Sequence, residues 1–263
     1  NLLEELDQAN EYYIETQVGN TYYGKLYFWP PANSVTGKEI VVSTVGENST
    51  SLVKLSGASN LWFKGLTFEV SRFNAVEMQD CTSVVLDNCM IRNVGNIGVR
   101  VEGGSSCGVQ NSKIYGLGQG IGLSGGNRYT LVGAGHYARN NEIHGFGRWI
   151  KAYQPAIGLY GVGNEASNNQ IYNGADTGIL CYQNNHLIQC NKIYNVAKET
   201  SDAGGIYSYW GWDTRGSLIK WNCIYDLIDS VPGGTGLWGI YLDGYTSGTT
   251  LYGNIIDNIS PGS

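Results

Sequence analysis

Charge is scarce in this chain: Asp, Glu, Lys and Arg make up 14% of its 263 residues, and the formal balance is −6. Binding to nucleic acid rests on Lys and Arg that neutralise phosphates, so this composition argues against such a partner. It argues equally against an anionic membrane surface. No run of 18 or more apolar residues exists, so no segment reads as a membrane-spanning helix. Proline (5) and methionine (2) are rare. The six cysteines, Cys81, Cys89, Cys107, Cys181, Cys190 and Cys223, include no CxxC pair and show no metal-ligand spacing. Most fall in strand-like segments, where a thiol behaves as a small core hydrophobe. A glycine-rich run, Gly116-Leu-Gly-Gln-Gly-Ile-Gly122, misses the GxGxxG register and precedes no helix, so it reads as a turn and not a phosphate loop. Neither a metal nor an organic cofactor is expected.

What is abundant points to strands and turns. There are 38 glycines, 19 tyrosines and 7 tryptophans, and 42% of residues are hydrophobic, enough for a substantial core. One phrase recurs: Asn88-Cys-Met-Ile91, Asn111-Ser-Lys-Ile114, Asn141-Glu-Ile143, Asn169-Gln-Ile171, Asn191-Lys-Ile193, Asn222-Cys-Ile224 and Asn254-Ile-Ile256, with Phe68 as an earlier member. The spacings are 23, 23, 29, 28, 22, 31 and 32 residues. Such units are short for two helices and a turn, and they lack a 3.6-residue period. Alternating runs such as Val84-Val-Leu-Asp87 and Leu187-Ile-Gln-Cys190 suit strands instead. A second strand recurs ahead of each phrase, as in Gly98-Val-Arg-Val, Gly120-Ile-Gly-Leu, Ala156-Ile-Gly-Leu, Gly178-Ile-Leu-Cys, Gly205-Ile-Tyr-Ser and Gly239-Ile-Tyr-Leu. Stacked coils of this kind bury a continuous aliphatic stripe, and an inward Asn at a turn bonds to its neighbours above and below. The expected fold is all-β, a right-handed parallel β-helix with a short N-terminal hairpin and entry segment. Residues 1–60 form that entry and residues 61–263 the solenoid. The chain stops just after a repeat phrase, which is expected of a piece of a longer protein. A monomer is expected.

The longer coils carry insertions, which in solenoids gather on one face. From the phrase isoleucine to the next repeat strand takes 7 or 8 residues in short coils. It takes 14 from Ile143 to Ile157, 13 from Ile193 to Ile206 and 16 from Ile224 to Ile240. Growth at one turn is expected to raise one wall of a cleft. The same region is densest in chemistry, holding four of the seven tryptophans between Glu199 and Tyr245. Exposed aromatic faces stack on sugar rings, and paired carboxylates supply acid and base for glycosidic cleavage. Asp202 precedes one strand and Asp243 ends the next, so the two are expected to flank a groove. The bland alternative is that Asp202 caps a turn and Asp243 belongs to an Asp-Gly turn. Tyr209, Trp210, Trp212, Asp213, Arg215, Trp238, Tyr245 and Lys151 are the candidate substrate-binding residues. Arg148 could serve similarly. His136, His144 and His186 lack a paired Cys or nucleophilic Ser motif and read as structural; His144 stands where four other coils have Tyr.

At these residues the chain resembles right-handed β-helix glycan-active proteins related to glycoside hydrolase family 141. The resemblance covers most of the chain, from Gly24-Lys-Leu-Tyr-Phe-Trp-Pro-Pro31 onward. It lies in Gly161-Val-Gly-Asn, Asn184-Asn-His-Leu-Ile, Ser201-Asp-Ala-Gly-Gly-Ile-Tyr, Thr214-Arg-Gly and Gly239-Ile-Tyr-Leu-Asp-Gly. It implies a secreted protein, extracellular or periplasmic, acting on plant polysaccharides with Asp202 and Asp243 as the catalytic pair. The family's Tyr-x-Gly-Arg-Asp reads here as Tyr207-Ser-Tyr-Trp-Gly-Trp-Asp213, which alters a subsite. The Asn-Thr-Asp, Asp-Asp and Gly-His-Gly set of polygalacturonases and the Arg-x-Pro-x-x-Arg motif of pectate lyases are absent. Two other readings stay open. A polysaccharide lyase would use a Lys, Arg, His or Tyr base, with Ca²⁺ as its one cofactor. A non-catalytic carbohydrate-binding solenoid would use the aromatics alone.

Overall fold

A computed structural model describes residues 3–15, 17, 19, 21, 24–31, 34–37, 39–43, 50–209 and 211–260. It divides into two compact units, Asn1–Val42 and Ser43–Ser263. In the first unit Leu3–Glu5 form a single 3-10 turn, and Tyr12–Ile14 pairs antiparallel with Leu26–Phe28 as the expected hairpin.

The second unit is a right-handed parallel β-helix whose coils each lay down strands on three faces, taken in the same order every time. Strands of the first face include Val53–Ser56, Val76–Gln79, Ile157–Gly161, Ile179–Cys181, Ala203–Ser208 and Leu237–Leu242. The second face comes next, from Trp62–Lys64 to Thr250–Tyr252, and forms an 8-stranded sheet. The third face runs from Thr67–Ser71 to Ile255–Ile259 and carries the repeat phrase. Two strands, Met90–Glu102 and Lys113–Gly125, pass from the third face to the first without a break, which joins those faces into one 14-stranded sheet. The glycine-rich run 116–122 therefore lies within a bent strand, with a register irregularity between Leu117 and Gln119, and not in a turn.

The repeat isoleucines stack as their spacing requires. Phe68, Ile91, Ile114, Ile143, Ile171, Ile193, Ile224 and Ile256 are successive parallel partners. All are buried except Ile256, which is 48% exposed on the last described coil. Ile121, Ile157, Ile179, Ile206 and Ile240 stack likewise beneath the first face.

An asparagine ladder runs beside the third-face stack. The side-chain amide of Asn141 donates to Asn169 Oδ1 (3.1 Å), Asn169 to Asn191 (2.9 Å), Asn191 to Asn222 (2.9 Å) and Asn222 to Asn254 (2.9 Å). Each acceptor also takes a backbone N–H from the coil before, so buried polar groups are satisfied along the stack. Asn88 and Asn111 stand one residue outside this ladder. They occupy the left-handed position that Asn140, Asn168, Cys190 and Trp221 take elsewhere, and Cys89 and Ser112 hold the inward place. The repeat phrase therefore aligns a turn asparagine with ladder asparagines in those two coils. The short polar side chain of Asn favours both sites, so letter identity does not separate them.

The histidines are part of the scaffold. Along the second face, His136 Nδ1 accepts the N–H of Cys107 (3.1 Å) and His186 Nδ1 accepts that of Asn164 (3.2 Å). Asn164 and Ser217 hold the equivalent place in their own coils. Burial lowers the pKa of both histidines, His186 to about 4. His144 sits in a flat aromatic stack, Tyr115–His144–Tyr172–Tyr194–Tyr225, with centroids 4.9 to 5.2 Å apart. The six cysteines are unpaired; Cys81, Cys89, Cys107 and Cys181 are buried, Cys223 is partly buried and Cys190 is exposed.

Candidate active site

The outer side of the first face is lined with phenols because outward positions of successive coils fall in register. Tyr160 stacks on Tyr182 with centroids 5.5 Å apart, and Tyr182 meets Tyr209 at a tilt of 51° and 5.0 Å. Tyr153, from the loop before Ile157–Gly161, meets the edge of Tyr209 at 6.3 Å. Tyr207 also meets Tyr209 edge-on (5.9 Å) and lies flat against Tyr241 (4.9 Å, 8° between planes), which stacks in turn on Trp238 (4.1 Å).

Both candidate aspartates are bound to this cluster. Tyr207 Oη donates to Asp243 Oδ2 at 2.6 Å, and Tyr241 Oη donates to Asp202 Oδ1 at 3.0 Å. Asp243 Oδ1 also takes the N–H of Gly244 (2.6 Å), and the Asp243 N–H bonds to Ser208 O, which sets it beside Tyr209 of the coil before. Asp202 is anchored by its N–H to Gly236 O, and it adopts φ 56 at the mouth of its strand. The two carboxylates thus share one stacked pair of phenols. Burial, reinforced by these carboxylates, pushes both Tyr207 and Tyr241 well above the ordinary phenol range, so they stay protonated donors.

A third carboxyl, Asp176, is not marked by any motif in the sequence. It lines a cavity of about 120 Å³ together with Tyr153, Thr200, Asp202 and Tyr207. Only 6% of Asp176 is exposed, and its Oδ2 takes the N–H of Gln154 (2.6 Å) while the Thr200 hydroxyl lies 3.2 Å from Oδ1. Burial raises its pKa against the lowering effect of those donors. The signal that would have found it is positional. Asp176 stands three residues before Ile179 and Asp202 four before Ile206, so both lie where the chain enters a first-face strand, one register position apart.

The insertions 145–156, 195–202 and 228–236 all join the third face to the first, so they leave the same edge of the first face, as their spacing requires. The candidate substrate-binding residues Trp212 and Tyr245 do not stand at that edge. Those residues come after the first-face strands Ala203–Ser208 and Leu237–Leu242, on connections leading to the second face, and so stand at the opposite edge. The coil path decides this: the segments entering and leaving a first-face strand lie at its two ends. Trp212 stacks on Tyr245 there (4.1 Å, 12°). Together with Arg128, Tyr129, Asp213 and Arg215 it lines a groove of about 830 Å³. Asp213 pairs with Arg128, a residue that no sequence motif singles out. Lys151 lies on the insertion side and pairs with Glu199 at 3.0 Å. Trp210 lies outside the described residues. Among the described residues no three His, Cys, Asp or Glu side chains gather into a potential metal site.

Comparison with known proteins agrees with this architecture. Residues 32–146 match the family model described as right handed beta helix region. A solved glycoside hydrolase superposes with a TM-score of 0.51 at 15% identity, over 70% of this chain and 38% of that one. The A-module of the Azotobacter vinelandii mannuronan C-5 epimerase AlgE6 superposes with a TM-score of 0.56 at 15% identity, over 78% and 59%. The chain thus spans less than two thirds of either structure. The receptor-binding domain of the Siphovirus 9NA tailspike is a more distant match, with a TM-score of 0.40 at 12% identity. A search of curated proteins returned no match. At these identities the likeness defines the fold: the chain is a right-handed parallel β-helix.

Proposed function

We propose that this chain is a carbohydrate-active enzyme, a glycoside hydrolase cleaving a plant-type or other complex polysaccharide with Asp202 and Asp243 as its catalytic carboxylates. One observation carries the reading: both aspartates accept hydroxyls from the same stacked pair, Tyr207 and Tyr241, on a face lined with aromatic rings. Glycosidic cleavage asks for two carboxyl groups on opposite sides of the scissile bond. One gives a proton to the leaving oxygen, and the other attacks the sugar carbon directly or through water. Phenol donors that cannot readily ionise hold carboxylates in place without taking their protons. The aromatic surroundings supply the apolar, oriented contacts that a sugar ring needs. The resemblance to family 141 proteins, and structural neighbours that include a glycoside hydrolase and a polysaccharide epimerase, support the same class of substrate.

A panel of plant and bacterial polysaccharides tests this, with reducing-end release measured for wild type, Asp202→Asn and Asp243→Asn. The expected result is release from at least one glycan by wild type and a severe loss in both variants, with glycan binding retained. Full activity in Asp243→Asn would end the two-aspartate mechanism. Binding without any release by wild type would replace it with a carbohydrate-binding solenoid.

A further inference from the structure

The groove at the opposite edge of the first face has features that the aspartate pair does not use. Trp212 is 78% exposed, whereas the rings of the other stacks are buried or partly buried. One of its faces is braced against Tyr245, so the indole is held rigid with its other face toward solvent. A fixed, exposed aromatic plane binds at low entropic cost. Across from it the connection 126–136 brings Arg128 and the fully exposed Tyr129. The loops are tied by the Arg128–Asp213 ion pair and by Asn184, whose amide donates to Asp213 O at 2.6 Å.

That pairing consumes the groove's carboxylate. Arg215, exposed in the same groove, forms no ion pair or side-chain hydrogen bond among the described residues. The result is a local positive charge on a chain whose balance is −6. A guanidinium beside an open aromatic plane matches a ligand that is both a ring and an anion.

We infer that this groove is a glycan subsite for an acidic sugar, a uronic acid residue whose ring lies on Trp212 and whose carboxylate pairs with Arg215. The inference rests on the reading of the chain as glycan-binding and adds the substrate class.

Calorimetric titration with oligogalacturonate, oligomannuronate and oligoglucuronate, each beside its carboxyl-reduced neutral counterpart, tests it, with a sulfated galactan oligosaccharide as a further arm. At least one acidic oligosaccharide is expected to bind about tenfold tighter than its reduced form, as a charge-assisted bond would provide. Arg215→Gln should abolish that difference, and Trp212→Ala should weaken the acidic and reduced forms alike. Equal binding of acidic and reduced forms, absence of binding by every acidic member, or a preference that survives Arg215→Gln overturns the inference. Binding of the sulfated oligosaccharide alone overturns the uronate assignment. The outcome is separable from the hydrolase reading. Release of sugars that is lost in Asp243→Asn, without any acidic preference, sinks this inference and leaves the catalytic proposal standing.

Discussion

The ring of Tyr207 lies flat on that of Tyr241, yet the two hydroxyls serve different carboxylates: Asp243 receives one and Asp202 the other. Parallel strand pairing places the rings one coil apart, and the carboxylates come from the two ends of the strands that carry them. Removing a hydroxyl while keeping its ring therefore isolates the carboxylate contact. Tyr207→Phe is expected to lower kcat about ten- to hundredfold with KM little changed, the loss of one charge-assisted hydrogen bond in the reacting state. Steady-state kinetics on the best glycan from the panel checks this. Unaltered kcat in both Tyr207→Phe and Tyr241→Phe would detach the phenols from catalysis.

Trp212 stacks on Tyr245 at the edge opposite Asp202 and makes no hydrogen bond to either aspartate, so its effect should fall on binding. Trp212→Ala is expected to raise KM about tenfold and leave kcat within about twofold, the signature of contacts equal in ground and transition states. A fall in kcat at constant KM would place Trp212 with the reacting groups instead.

His186 links stability to pH. It is buried, neutral and held by Asn164 N–H and Tyr182 O, and its pKa falls from 6.5 to about 4 in the fold. Proton uptake sets the sign. Above pH 6.5 the histidine is neutral in folded and unfolded chains alike. Between about 6.5 and 4 only the unfolded chain binds the proton, so stability falls as pH falls through that window, by up to roughly 3 kcal/mol. Asn164 already does the same work one coil earlier, so His186→Asn should keep the ladder and flatten this acid limb. Urea denaturation at pH 7 and pH 4.5 checks it; an unchanged slope would mean that other groups govern the acid limb.

The asparagine ladder should be costly to break and its exposed imitation cheap. Asn191 joins Asn169 to Asn222 and bonds to Ala166 O, all out of solvent, so Asn191→Ala leaves buried donors unmatched and should cost about 3 kcal/mol. Asn195, which pairs with Asn173 at the surface, should cost under about 1 kcal/mol when changed to Ala. Similar denaturation midpoints for the two variants would contradict the ladder's role.

The fold is legible in the sequence because stacking in a solenoid is local in kind: each coil repeats the same inward choice at the same place. Ile143 and Ile171 announce one another since each must cover the other. The histidines are legible for the same reason, His144 standing where other coils put Tyr. At Asn88 and Asn111 the letters mislead by one residue, because asparagine suits both the inward bond and the left-handed turn. Asp176 escapes notice since its only mark is its place ahead of Gly178-Ile179, one register position off that of Asp202, and Arg128 since its partner Asp213 lies 85 residues away.

Composition and repeat spacing by themselves determined the parallel coil, the stacked isoleucines and the edge at which the long insertions emerge. These are consequences of the pattern's period, and burial of an aliphatic stripe leaves few other ways to satisfy it. Tertiary structure alone decided which side chains share a site. Tyr241 reaches back one coil to Asp202 and Tyr207 forward to Asp243, while Trp212 and Tyr245 are carried to Asp243's end of the face, at the edge opposite Asp202. In a coiled chain, neighbours in sequence separate around the coil and residues some thirty positions apart meet along its axis, so proximity at the site belongs to the stack and not to the string of letters.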